Sequence, residues 1–158
     1  MTRDGRSVVS SPLTKNERLA ALAAVLARAA IGGEVVATDA LRVIKHELRT
    51  RNTNKALLAP YRSRGAQEVL DRYAAAGERV PNNNSQDALH CDHVHPLNER
   101  DLEGLTTPGA WLERLRELDI VVCVTAAENY ALEKVERTGE HGWEKYPEAG
   151  VEVFQVAP

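Results

Sequence analysis

Cysteine is scarce in this chain of 158 residues: Cys91 and Cys123 are the only two. A disulfide framework is therefore not what holds it together, and a single domain of this length buries a core without staples. Long apolar runs are also missing. None reaches the roughly 18 residues of a membrane span or resembles the apolar region of a signal peptide, so the expectation is a cytoplasmic protein with reduced thiols and no membrane partner. Aromatic residues make up only 4%. Tyr61 alone falls within the most basic stretch, which leaves little for recognition of single strands by base stacking.

Charge is unevenly placed. The net charge is -3, yet residues 1–80 hold 14 Lys and Arg against 8 Asp and Glu, while residues 81–158 hold 6 against 15. Seven basic residues, Arg42, Lys45, Arg49, Arg51, Lys55, Arg62 and Arg64, lie between positions 42 and 64 with Glu47 the one acid among them. Such a cluster suits phosphate contacts that grip a nucleic-acid backbone without reading its sequence; a solvated helix face would look the same.

Periodicity divides the chain. Residues 1–13 have none and read as a flexible tail. Thr14 with Glu17 forms a capping box ahead of apolar positions 19, 22, 25, 26 and 29, and Gly32-Gly33 closes that helix. A second helix is expected from Thr38 or Asp39, with Leu41, Ile44 and Leu48 on one stripe, and a third from about Gly65 to a stop at Gly77. The turn-rich "ERVPNNNSQ" then suggests a boundary near residue 80. Beyond it the pattern is strand, helix, strand, helix, strand: "DALHCDHV", a helix capped by Thr107 with Pro108 in its first turn, the β-branched "DIVVCVT", a helix with a Thr125–Glu128 capping box and a stop at Gly139, and the alternating "GVEVFQV". The expected class is α+β: a tail over 1–13, a basic helical region over 14–80, and a second module over 81–158 with a helix between its first two strands and a C-terminal strand.

Chemistry concentrates in "HCDHVH", where His90, Cys91, Asp92, His93 and His95 occupy five of six positions. Asn129 and Glu133 are four apart on the last helix and so share a face. Both offer oxygen ligands to a hard divalent cation. Were that face to meet the end of the first strand, Asp92 would complete an oxygen-rich site, with His93 beside it as a base. A cation next to a neutral imidazole is what phosphodiester hydrolysis needs.

"DHVHPL" followed by "VVCVTAAENYALE" resembles the motif of the HNH, or ββα-metal, nucleases, in which a strand ending in Asp-His precedes a second strand that runs into a metal-binding helix. The resemblance covers residues 87 to 138, about a third of the chain. It implies a DNA-cutting enzyme with His93 as general base, Asp92 and Asn129 as metal ligands, Glu133 as a third, and one Mg2+ or Mn2+ ion, with Zn2+ as a further option. Family members join the two strands by a short loop whose Asn orients the histidine through its backbone. Here about twenty residues and a helix intervene, so Asp119, just before the second strand, is the substitute. The zinc-binding cysteine pairs that support many members are absent, which leaves the fold to its own core, Trp111 included.

Two other readings compete. Strict strand alternation sets Cys91, His93 and His95 on one face and His90 and Asp92 on the other, which favours a closed zinc site completed by Cys123 or His141 unless the strand becomes irregular before Pro96. An ordinary histidine-bearing strand is the third reading. A regulatory nucleic-acid-binding protein on the same scaffold would keep the basic cluster without cutting. Cutting of both strands by a one-metal site would call for a homodimer or two visits. His46 reads as solvent-facing, Cys123 as a small core residue, and Trp143 and Tyr146 as anchors of the loop over the last helix.

Overall fold

Three apolar clusters organise the chain, and the largest joins its two halves. The computed structural model describes residues 12–50, 55–81 and 85–157. In order these form α1 (Lys15–Ile31), α2 (Ala37–Thr50), β1 (Tyr61–Ser63), α3 (Arg64–Ala76), β2 (Leu89–His93), α4 (Glu99–Gly104), α5 (Pro108–Leu118), β3 (Val121–Thr125), α6 (Ala126–Arg137), α7 (Lys145–Glu148) and β4 (Val153–Gln155), with 3-10 turns at Ala56–Leu58 and Gly142–Glu144. The class is α+β. The expected tail lies outside the described residues except for its last two positions, and Arg51 lies outside them too.

Local signals set the helix ends. Thr14 Oγ1 accepts from the Glu17 N–H while the Glu17 carboxylate accepts from the Thr14 N–H, and the same reciprocal box joins Thr125 to Glu128. Each satisfies two of the N–H groups that a helix start leaves without an internal partner. Thr107 caps α5 with Pro108 as its first residue, and Gly77 ends α3 in the left-handed conformation at φ 67°. The second helix starts at Ala37, slightly ahead of the expected Thr38 or Asp39, because the Val36 carbonyl already accepts from Asp39 and Ala40.

The four strands lie in the order β2-β3-β1-β4, with β1 parallel to β3 and the other pairings antiparallel. β1 belongs to the stretch expected to be all helical, and it sits inside the sheet. The expected boundary near residue 80 is likewise crossed by packing. Leu19, Ala23, Ala27, Leu41 and Ile44 share one buried cluster with Leu97, Leu102, Trp111, Leu115 and Leu118. The apolar stripes of α1 and α2 need a cover, and α4 and α5 supply it. The intervening helix is thus the partner on which the N-terminal helices α1 and α2 pack.

The sheet's faces have separate covers. Val122 and Val124 pack with Val94, Leu132 of α6, Tyr146 and Val151 on one face. Val121 and Cys123 pack with Ala59 and Ala66 of α3 on the other. Burying a Val or Leu side chain contributes about 1.5–3 kcal/mol, so the all-buried β3 is a main anchor of the fold.

Candidate active site

β2 and β3 pair antiparallel with Leu89 opposite Thr125 and His93 opposite Val121, and β3 runs without a break into α6. That is the strand, strand, helix order of the sequence expectation. The register stays regular through His93, so alternation holds. Asp92 turns to the face that carries Val122, Val94 and Leu132 of α6, and His93 turns to the face that carries Val121 and α3. Asp92 and His93 therefore lie on opposite faces of the sheet, and the chain bends only after them, at Val94 and His95.

His93 is held by its ring. Nδ1 lies 2.8 Å from the backbone carbonyl of Leu118, at the end of α5. A carbonyl only accepts, so Nδ1 carries a proton. The backbone partner comes from the connection between the two strands. It is Leu118, one position before Asp119. Asp119 itself is an exposed residue that caps the C-terminus of α5 through its N–H.

Asp92 lies in a buried polar cluster. Its Oδ2 accepts from the Tyr146 hydroxyl at 2.5 Å and pairs with Lys145 Nζ at 2.9 Å. The Lys145 ammonium, with 0% of its side chain exposed, also donates to Glu136 Oε1 and to the His93 carbonyl, both at 2.6 Å. Burial, and then the Asp92 charge, pushes the Tyr146 hydroxyl up, so it stays a donor. Sequence reasoning missed Lys145 and Glu136; "GWEKYPEAG" carries no sign that its lysine is buried. It did expect Tyr146 to anchor the loop over α6, and Tyr146 packs with Leu132 there.

Asn129 and Glu133 share a helix face as expected, and Asn129 Nδ2 donates to Glu133 Oε1 at 3.4 Å. Glu133 is exposed. α6 covers the Asp92 face of the sheet, so neither residue meets His93 across a common opening. The Asp92 carboxylate is taken up by the Lys145 ammonium and the Tyr146 hydroxyl. Among the described residues no group of three or more His, Cys, Asp or Glu converges to hold a metal. The zinc arrangement of Cys91, His93 and His95 is not assembled either.

The two thiols stand directly opposite each other, Cys91 facing Cys123. Bonds from the Ala126 N–H to the Ala88 carbonyl and from the Val94 N–H to the Ile120 carbonyl put the bonded pairs at even β2 positions. The cysteines thus occupy the closer, non-hydrogen-bonded kind of pair. Burial and the neighbouring Cys123 push the Cys91 thiol up to about 12, and burial pushes Cys123 up as well. Cys123 is a buried core residue, as read from its apolar strand.

The basic positions divide. Arg42, Lys45 and Arg49 form an exposed stripe on α2, and Arg42 pairs with Asp39 at 3.0 Å. Their spacing places them on one face, opposite the buried Ala40, Leu41 and Ile44. Lys55 is exposed, and Arg64 lies over the Phe154 ring while pairing with Glu152 at 3.3 Å. Arg62, partly buried, sits in register between Cys123 and Phe154 and donates to Gln67 at 2.6 Å. His46 is exposed, as read. His95 and His141 line a cleft of about 480 Å³ with Arg114, whose guanidinium holds Asp101 at 2.8 Å and the Pro96 carbonyl at 2.9 Å.

No family model matches the chain, and neither the curated proteins nor the solved structures give a match.

Proposed function

We propose that the chain binds nucleic acid, DNA in the first instance, and hydrolyses its phosphodiester bonds with His93 as the base that activates water. The observation that carries this reading is the His93 ring, held at the end of β2 by the Leu118 carbonyl. With a proton held on Nδ1, Nε2 is the ring atom that would serve as the base, and such a base contributes typically about 10²–10⁴-fold. The β2, β3, α6 order supports the reading, as does the exposed stripe of Arg42, Lys45 and Arg49, whose charges suit phosphates.

A second reading has its own support. Asp92 is bound by Lys145 and Tyr146, and Asn129 is bound to Glu133. A protein that holds nucleic acid on the α2 stripe and does not cut it would have this arrangement. The test is supercoiled plasmid with purified protein in Mg2+, Mn2+, Zn2+ or EDTA, alongside folded His93→Ala and Asn129→Ala variants. Nicking that His93→Ala abolishes and Asn129→Ala spares supports the proposed chemistry. Salt-sensitive binding with no nicking in any condition supports the second reading.

A further inference from the structure

Asp92 on β2 and Glu136 on α6 both reach one buried ammonium group, that of Lys145. We propose that Lys145 Nζ is the resident cation of the β2–β3–α6 unit and closes the Asp92 position to divalent metal. The proposal rests on the ββα reading of these elements and goes beyond it, since it concerns what replaces the metal and not whether the chain cuts.

The geometry is that of a complete ammonium site. An ammonium has three donors, and Lys145 meets three oxygens: Glu136 Oε1 at 2.6 Å, the His93 carbonyl at 2.6 Å and Asp92 Oδ2 at 2.9 Å. Tyr146 adds a second donor to the same Asp92 oxygen. A lysine with no exposed side chain is costly unless paired, and two carboxylates here offset its charge. Without it, the carboxylates would face each other with two negative charges and no counterion. A magnesium ion would instead call for near-octahedral oxygen ligation with several retained waters. Here Lys145 and Tyr146 are both buried against Asp92, and their ammonium and hydroxyl both reach its Oδ2.

The charge arrangement also says what removing the lysine would do. Lys145→Ala leaves two carboxylates and a carbonyl around a vacated space, which is a set of hard oxygen ligands. The experiment is Mn2+ titration followed by electron paramagnetic resonance, with thermal melts with and without MnCl2, on wild type, Asp92→Asn and Lys145→Ala. Wild type should show no Mn2+ binding that Asp92→Asn removes, and its midpoint should not move with Mn2+. Lys145→Ala should melt lower, bind Mn2+ and recover several degrees when the ion is added. Wild-type Mn2+ binding that Asp92→Asn abolishes would overturn the proposal. So would a folded Lys145→Ala that ignores Mn2+. Should Lys145→Ala fail to fold, the comparison of wild type with Asp92→Asn decides alone. Neither readout uses cleavage, so a protein that never cuts DNA leaves this inference standing.

Discussion

Replacing Lys145 by Met tests the buried cluster quantitatively. Met fills most of the lysine stem's volume but donates nothing, so the loss is electrostatic and not a cavity. Three charge-assisted bonds disappear. Glu136, with 23% of its side chain exposed, turns to water at little cost, whereas Asp92, with 10% exposed, keeps only the Tyr146 hydroxyl. Removing one partner of a buried ion pair costs about 3–5 kcal/mol. In a chain of this size that is roughly 10 °C in Tm. Urea unfolding followed by far-ultraviolet circular dichroism reads it directly, with an unchanged slope marking a change in stability alone. Asp92→Asn combined with Lys145→Met removes both charges, so the double variant should be more stable than Lys145→Met by about 1–3 kcal/mol. A loss below about 1 kcal/mol for Lys145→Met, or strict additivity in the pair, would refute the reasoning.

Three further outcomes follow from the structure. A Cβ at Gly65 would meet Glu128 Oε1 at 2.3 Å, displacing the carboxylate from Ser63 Oγ and the Thr125 N–H; Gly65→Ala should cost about 1–3 kcal/mol by chemical denaturation, and less when Glu128→Ala is also present. Changing Arg42, Lys45 and Arg49 together to Gln should lower the slope of log Kobs against log salt by about 2–3 in fluorescence anisotropy with duplex DNA; an unchanged slope would make the stripe only a solvated face. Cys91 keeps its proton in the folded chain up to about 12, against an ordinary 9.0. Above that ordinary value the unfolded chain binds fewer protons than the folded one, so stability falls as pH rises through this window, and Cys91→Ala should flatten that alkaline arm of the urea midpoint.

Helix ends were the most legible part of the sequence, because capping is local. Thr14 with Glu17, Thr107 with Pro108, and Thr125 with Glu128 each satisfy a helix start within four residues. β1 was not legible: Tyr61-Arg62-Ser63 is three residues long and has no alternating pattern of its own. It is a strand because Val122 and Cys123 on one side and Val153 to Gln155 on the other offer it ladders, and those partners are remote in sequence. The packing between residues on either side of position 80 was not legible for a related reason. Turn chemistry signals where a chain bends and carries no information about which apolar stripes then meet, as α1 meets α5. At the site, the two-residue period alone placed Asp92 and His93 on opposite faces, and the regular register bears that out. Same-face spacing of Asn129 and Glu133 was also readable from the helix period. Lys145 was out of reach, since a lysine is buried only where distant acids await it, and Glu136 and Asp92 arrive from two other elements.

The most direct test of His93 as a general base is chemical rescue. His93→Ala, confirmed as folded by circular dichroism, is assayed for nicking of supercoiled plasmid with increasing free imidazole. The account predicts that wild type nicks, that the variant does not, and that imidazole restores nicking to the variant in proportion to its unprotonated form while leaving wild type unchanged. A His93→Ala protein that nicks as wild type does, without imidazole, would contradict it.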